Sequence, residues 1–130
     1  MGRVIVVGSI NQDITVTVDR FPQPGETLSG TSTTYRLGGK GANQAVAAAL
    51  QGAKVAFVGA VGNETYAAPA TALMVAAGVD MEGVDTRDET TGLAVITVDA
   101  DGENSIVVVP GANADVTAAY VDAHAETVRT

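Results

Sequence analysis

Two hydrophobic rhythms alternate along this chain. Residues 3–8, RVIVVG, form an unbroken β-branched run closed by glycine, and residues 54–62, KVAFVGAVG, form another. Such runs predict strands buried on both faces, as in a parallel sheet. Elsewhere apolar residues fall on every second position. Ile14, Val16 and Val18 alternate with Asp13, Thr15, Thr17 and Asp19, which predicts a half-buried strand over residues 12–19. Residues 92–98 and 104–109 are β-branched runs around a turn holding Asp101 and Gly102, the pattern of a hairpin. Residues 31–37 fit a further exposed strand. The alanine-rich stretch before Gly52 predicts a helix, as do residues 64–77 before Gly78 and the tail after Asp115, a candidate N-cap. The loop FPQPGETLSG carries two prolines and two glycines.

Strand–helix–strand–helix order with right-handed crossovers predicts an α/β fold with a partial Rossmann-like parallel sheet. The alternating strands do not suit its buried sheet. They predict a second, smaller sheet projecting as a lid, within one domain spanning residues 1–130. Ligands of such folds bind beyond the carboxyl ends of the parallel strands.

Composition narrows the function. A chain of 130 residues, 46% hydrophobic, is long enough to bury a core and is not a disordered sequence. Its net charge of −8 argues against nucleic acid or an anionic membrane as partner. The absence of cysteine excludes disulfides and thiolate metal sites and fits a reducing cytosol. VIVV, at residues 4–7, is too short for a signal-peptide core or a membrane span, so a cytoplasmic protein is expected.

Two groups of residues carry candidate chemistry. GGKGANQA, residues 38–45, sets Gly38, Gly39, Lys40 and Gly41 at the start of the alanine-rich helix. A phosphate loop of the GxxxxGK[ST] type fails because Gly41 follows Lys40, and a GxGxxG fingerprint fails at Gln44. The glycines permit close approach of a ligand to the backbone, and the helix start offers unpaired N–H groups. Lys40 and Asn43 in the first turn are hydrogen-bond donors. A plain glycine turn with a solvated lysine accounts for the same residues without a ligand. Asn11 and Asp13, two apart on a strand, share a face. A carboxylate accepts from two hydroxyls and an amide both donates and accepts, which suits a polyol. A polar wet strand face is the competing explanation, and it is the one expected for Asp19. His124, the single histidine, is expected on the surface of the tail helix, and Asp80 and Asp85 beside loops.

VVGSINQDITVTVDRFPQPGETLSG, GGKGANQAVAAALQGAKVAFVGAVG and TTGLAVITVDADGENSIVVVPGAN, in this order and spacing, resemble the N-terminal part of the ribokinase-like, phosphofructokinase B-type carbohydrate kinases. The resemblance runs from Val4 to about Asn113. It implies ATP-dependent phosphorylation of a sugar, D-ribose to ribose 5-phosphate, with fructose, a nucleoside or another furanose as alternatives. It assigns sugar contacts to Asn11 and Asp13, to Gly39, Lys40, Gly41 and Asn43 of the glycine turn, and to the apolar lid residues Ala94 and Ile96. It also implies Mg2+, a monovalent cation and a homodimer made through the lid, whose apolar residues here are Ile14, Val16, Val18, Val95, Ile106 and Val108. The family's catalytic aspartate, nucleotide pocket and cation loop lie downstream of the matched part. This chain is therefore expected to carry the sugar-binding half and lid and to be inactive alone, with a non-catalytic sugar-binding or dimerisation role as the alternative. One departure stands out: where the family carries an acidic GDDxFG segment, this chain has GNETYAAPA, with Asn63, Glu64 and Tyr66.

Overall fold

The computed structural model describes residues 2–129. It contains a three-stranded parallel sheet and a separate four-stranded mixed sheet, with helices on the first. The parallel sheet is built from β1 (Arg3–Val7), β4 (Lys54–Gly62) and β5 (Asp80–Arg87) in the order β1-β4-β5. The second sheet takes β2 (Asn11–Thr17), β3 (Ser32–Gly38), β6 (Gly92–Val98) and β7 (Asn104–Val109) in the order β3-β2-β6-β7.

β4 is the spine of the core because it is buried along nearly its whole length. Val55, Phe57 and Val61 face one layer, where Ala42 and Ala45 of α1 (Lys40–Leu50) and Ala70 and Met74 of α2 (Ala67–Ala76) pack. Val58 and Ala60 face the other, against Ala112 of a 3-10 turn (Gly111–Asp115) and Tyr120 of α3 (Ala118–Ala123). Coverage on both faces explains why β4 reads as a continuous apolar run. Fully burying a Phe or Met side chain contributes about 1.5–3 kcal/mol.

Several boundaries differ from the sequence reading. β2 begins at Asn11 and ends at Thr17. α2 starts only at Ala67, because Glu64 and Tyr66 form a turn before it, the Glu64 carboxylate accepting from Tyr66 N–H at 3.1 Å. Asp80 does border a loop, as the first residue of β5, but Asp85 lies inside that strand, a polar edge strand whose pattern DMEGVDTR lacks the β-branched run of a central strand. The tail helix is capped by Thr117, whose hydroxyl accepts from Tyr120 N–H, and not by Asp115, which ends the 3-10 turn. It breaks at His124 into α3 and α4 (Ala125–Arg129). The PGET loop is a tight turn: Gly25 takes φ +77°, and the Glu26 carboxylate receives both Arg20 guanidinium nitrogens at 2.7 Å.

Candidate functional site

The two sheets meet where β1 bends into β2. There Asn11 pairs with Gly38 of β3 on one side and with Gly92 of β6 on the other. Glycine on both flanks leaves a bare strip of backbone around Asn11, and the space is used. A Cβ on Gly38 would fall within the Asp13 carboxylate, and one on Gly92 would fall on the amides of Asn11 and Asn113. The glycines therefore make room for three polar side chains laid over one floor: Asp13 beside Gly38, Asn11 at the centre, Asn113 beside Gly92.

Asp13 is half buried and its carboxylate has no hydrogen-bond partner among the described residues. Burial alone holds its carboxyl above the usual value near 3.8. An acceptor kept partly dry and unpartnered in the folded chain is poised for a donor from outside. Asn11 is likewise half buried, and its Oδ1 accepts from Asn113 Nδ2 at 2.8 Å.

The glycine turn follows directly. Gly38 is the last residue of β3 and Lys40 the first of α1. Gly39 is the N-cap at φ 91°, a conformation that favours glycine, and its Cβ would lie 2.6 Å from Ser9 O. A Cβ on Gly41 would lie 2.9 Å from Gly8 Cα and 3.0 Å from Ser9 N. Ala42 N–H donates to Ser9 O at 3.1 Å and Asn43 N–H to Gly39 O at 3.0 Å. The spaces that Gly39 and Gly41 leave are filled by the chain's own backbone. They dock α1 onto the β1–β2 bend and do not form a phosphate cradle. Lys40 and Asn43 are exposed on the first turn of α1, next along the chain from the Asn11–Gly38 pair.

Ala94 and Ile96, expected as lid residues, share the floor's face. Ala94 pairs with Asp13 and Ile96 with Thr15 in the parallel β2–β6 ladder, so both stand on the side of Asn11 and Asp13. Ala94 is buried and Ile96 half buried. The structure thus brings Asn11, Asp13, Ala94 and Ile96 onto one sheet face, with Gly39 and Gly41 supporting the helix start beside it. Asn113 was not singled out from the sequence. The only hint there is its place after Pro110-Gly111, a turn whose reach to β2 no local pattern reveals.

Two other features lie apart from this corner. A cleft of about 510 Å3 opens between Glu64, Tyr66, Thr91, Leu93 and Val109. Leu93 alternates with Ala94, so the cleft is on the opposite sheet face. There the Glu64 carboxylate accepts from the Thr91 N–H at 2.9 Å and from the Thr91 hydroxyl, while Thr91 Oγ1 accepts from Gly62 N–H at 3.0 Å. Burial pushes Glu64 up, but its hydrogen bonds outweigh that and leave it below the usual 4.5. His124 is also not the solvated residue expected. It stacks on Tyr120 with centroids 4.4 Å apart, and its Nε2 lies 3.4 Å from Asp85. Among the described residues no three His, Cys, Asp or Glu side chains gather as a metal-ligand set, and no helix is long and apolar enough to cross a membrane.

Comparison with known proteins gives one consistent outcome. Residues 1–129 match the model of the pfkB family carbohydrate kinases. Ribokinase of Bacillus subtilis is 46% identical over 120 residues, which cover 92% of this chain and 41% of that protein. The structure of Arabidopsis thaliana ribokinase complexed with ribose and ATP matches with a TM-score of 0.80 at 38% identity, over 85% of this chain and 36% of that one. Giardia lamblia ribokinase matches with a TM-score of 0.83 at 33% identity, over 94% of this chain and 40% of that one. The chain thus spans about two-fifths of the length of these relatives. With the glycine-floored corner and the second sheet in place, the chain belongs to the pfkB family of carbohydrate kinases.

Proposed function

We propose that this chain supplies the sugar-binding corner and lid of an ATP-dependent kinase that converts D-ribose to ribose 5-phosphate, and that the 130 residues alone bind sugar without phosphorylating it. The observation that carries the reading is the unpartnered Asp13 carboxylate on the glycine floor between Gly38 and Asn11. A furanose laid there donates hydroxyl hydrogen bonds to Asp13 and accepts one from the Asn11 amide. Ala94 and Ile96 offer an apolar surface to the sugar's carbon face, and Lys40 and Asn43 add donors from the start of α1. The relatives named ribokinase, and the one complexed with ribose and ATP, support ribose as the sugar.

ATP, with Mg2+ and a monovalent cation, would supply the phosphoryl group and its charge stabilisation. On this reading that part of the site lies outside these 130 residues. What this corner contributes is orientation: holding an acceptor hydroxyl in place is a large share of phosphoryl-transfer catalysis.

Two measurements test the reading. A homogeneous 130-residue chain should release no ADP above background in a coupled assay with ATP and ribose. Sustained turnover there rejects the division of labour. Ribose titrated into the chain by calorimetry or NMR should bind saturably, and Asp13→Ala should weaken it at least tenfold. One charge-assisted hydrogen bond is worth about 1.5–3 kcal/mol. Unchanged affinity removes Asp13 from the site.

A further inference from the structure

We infer that Asn113 is a positioning residue for sugar recognition: by occupying the carbonyl oxygen of Asn11, it commits the Asn11 amide to donate to the sugar. The inference rests on the sugar-corner reading above and adds the polarity of one of its contacts.

Asn113 lies in the 3-10 turn after β7, far along the chain from β2. Its side chain reaches the bend before β2 and makes three hydrogen bonds. Oδ1 accepts from Ile10 N–H at 2.9 Å. Nδ2 donates to Ile10 O at 3.0 Å and to Asn11 Oδ1 at 2.8 Å. An amide oxygen and nitrogen look alike in shape, so their assignment depends on the surrounding network. Here the network decides it. A backbone N–H only donates and a backbone carbonyl only accepts, so the two groups of Ile10 fix which end of the Asn113 amide is which. With Nδ2 facing the Ile10 carbonyl, its second proton falls on Asn11. Asn11 must therefore present Oδ1 to Asn113, which turns its own NH2 the other way. That NH2 has no hydrogen-bond partner among the described residues.

The corner then offers a complementary pair: a donor at Asn11 and an acceptor at Asp13, on one face of β2. This pair suits two hydroxyls of which one accepts and the other donates. Gly92 is the necessary partner, since any Cβ there would displace both asparagine amides and crowd Ile10 O at 2.8 Å.

Asn113→Asp keeps the shape and reverses one end. The new carboxylate oxygen faces two acceptors, the Ile10 carbonyl and Asn11 Oδ1. The Asn11 amide relieves one clash by turning over, which leaves an oxygen towards the sugar. Ribose titrations of the 130-residue chain, its Asn11→Ala and Asn113→Asp variants and the double variant test this by NMR. Asn113→Asp should weaken ribose at least tenfold, and should add nothing once Asn11 is alanine. Independent, multiplying losses overturn the inference, because a general effect on the fold would not depend on Asn11. Weakening by Asn11→Ala with none by Asn113→Asp also overturns it and leaves the sugar corner standing. No effect of Asn11→Ala, or no saturable ribose binding by the wild-type chain, removes the corner itself and this inference with it. Should Asn113→Asp unfold the chain, the wild type decides alone. Ribose should shift the side-chain NH2 resonances of Asn11 and leave those of Asn113, both protons already engaged, unmoved. The opposite pattern rejects the assignment.

Discussion

At the scale of single residues, the proposed sugar contact of Asp13 sets binding against stability. Burial raises its folded-state pKa above the usual 3.8. A carboxyl so shifted favours folding fully below its unfolded value, and that contribution is lost as pH rises through the folded value. At neutral pH the ionised group therefore costs stability. Asn in its place carries no charge, so Asp13→Asn should unfold at higher denaturant than wild type at pH 7. The gap should close as the pH approaches 3.8 and below, while ribose affinity falls at every pH where Asp13 is ionised. Denaturation midpoints across that window check it, and a variant less stable at pH 7 contradicts it. Glu64 has the opposite sign. Its folded pKa is lowered, so its contribution exists above 4.5 and is lost as pH falls through the folded value. Glu64→Gln should cost about 1–2 kcal/mol at pH 7, a range discounted for solvent screening, and close to nothing at acid pH. Equal losses at both pH values reject a charge-dependent role. Asn11 and Asp13 were legible in the sequence because a two-residue spacing on a strand is a local fact. Asn113 and His124 were not, because what they do depends on contacts with distant segments, Ile10 and Asp85.

At the scale of elements, the glycine-led helix was legible and its glycines' purpose was only half so. The sequence shows that GGKG permits a close approach. It does not show that the approaching group is the chain's own Gly8–Ser9 backbone for Gly39 and Gly41, and a side chain, Asp13, for Gly38. The difference predicts two kinds of failure. Gly41→Ala places a Cβ 2.9–3.1 Å from backbone atoms that cannot step aside. Overpacking of this kind costs about 1–3 kcal/mol, so the change should lower the denaturation midpoint. Gly38→Ala meets a rotatable carboxylate and should instead displace Asp13, weakening ribose more than it weakens the fold. Paired denaturation and titration of both variants check this, and the reverse order of effects contradicts it. β5 escaped the sequence reading for a related reason. An edge strand needs only one hydrogen-bonded neighbour and one buried face, so DMEGVDTR can be largely polar and still pair with β4. The tail was read as one helix because nothing local marks the break at His124, where the ring packs on Tyr120 and its Nδ1 lies 2.8 Å from the Tyr120 carbonyl.

At the scale of the whole molecule, the second sheet leaves apolar surface that the rest of the described chain does not cover. Ile106, Val107, Val108 and Val109 of β7 are 52%, 62%, 56% and 44% exposed. The strand is also a sheet edge, with one side of its backbone unpaired in the ladder. Consecutive exposed valines on an edge strand are a poor surface for a monomer and a good one for a second copy. The ladder corrects how these residues group. Val95 pairs with Val107, whereas Ile106 and Val108 pair with Ile96 and Ala94, so the two sets occupy opposite faces. The face of Val108 is continuous with Asn11 and Asp13, the proposed sugar corner, and the face of Val107 with Ile14 and Val16. Val16 is itself sheltered by the loop that carries Pro22, Leu28 and Gly30, which makes it a poor place to introduce charge. Positions 107 and 108 are better probes. The chain should sediment as a dimer at micromolar concentration, and Val107→Lys or Val108→Lys should shift it to monomer according to which face the partner covers. If Val107→Lys does so and leaves ribose binding intact, the partner lies away from the sugar. If Val108→Lys does so and ribose binding falls with it, the partner closes over the corner. A wild-type chain that sediments as a monomer throughout that range rules out pairing through this sheet.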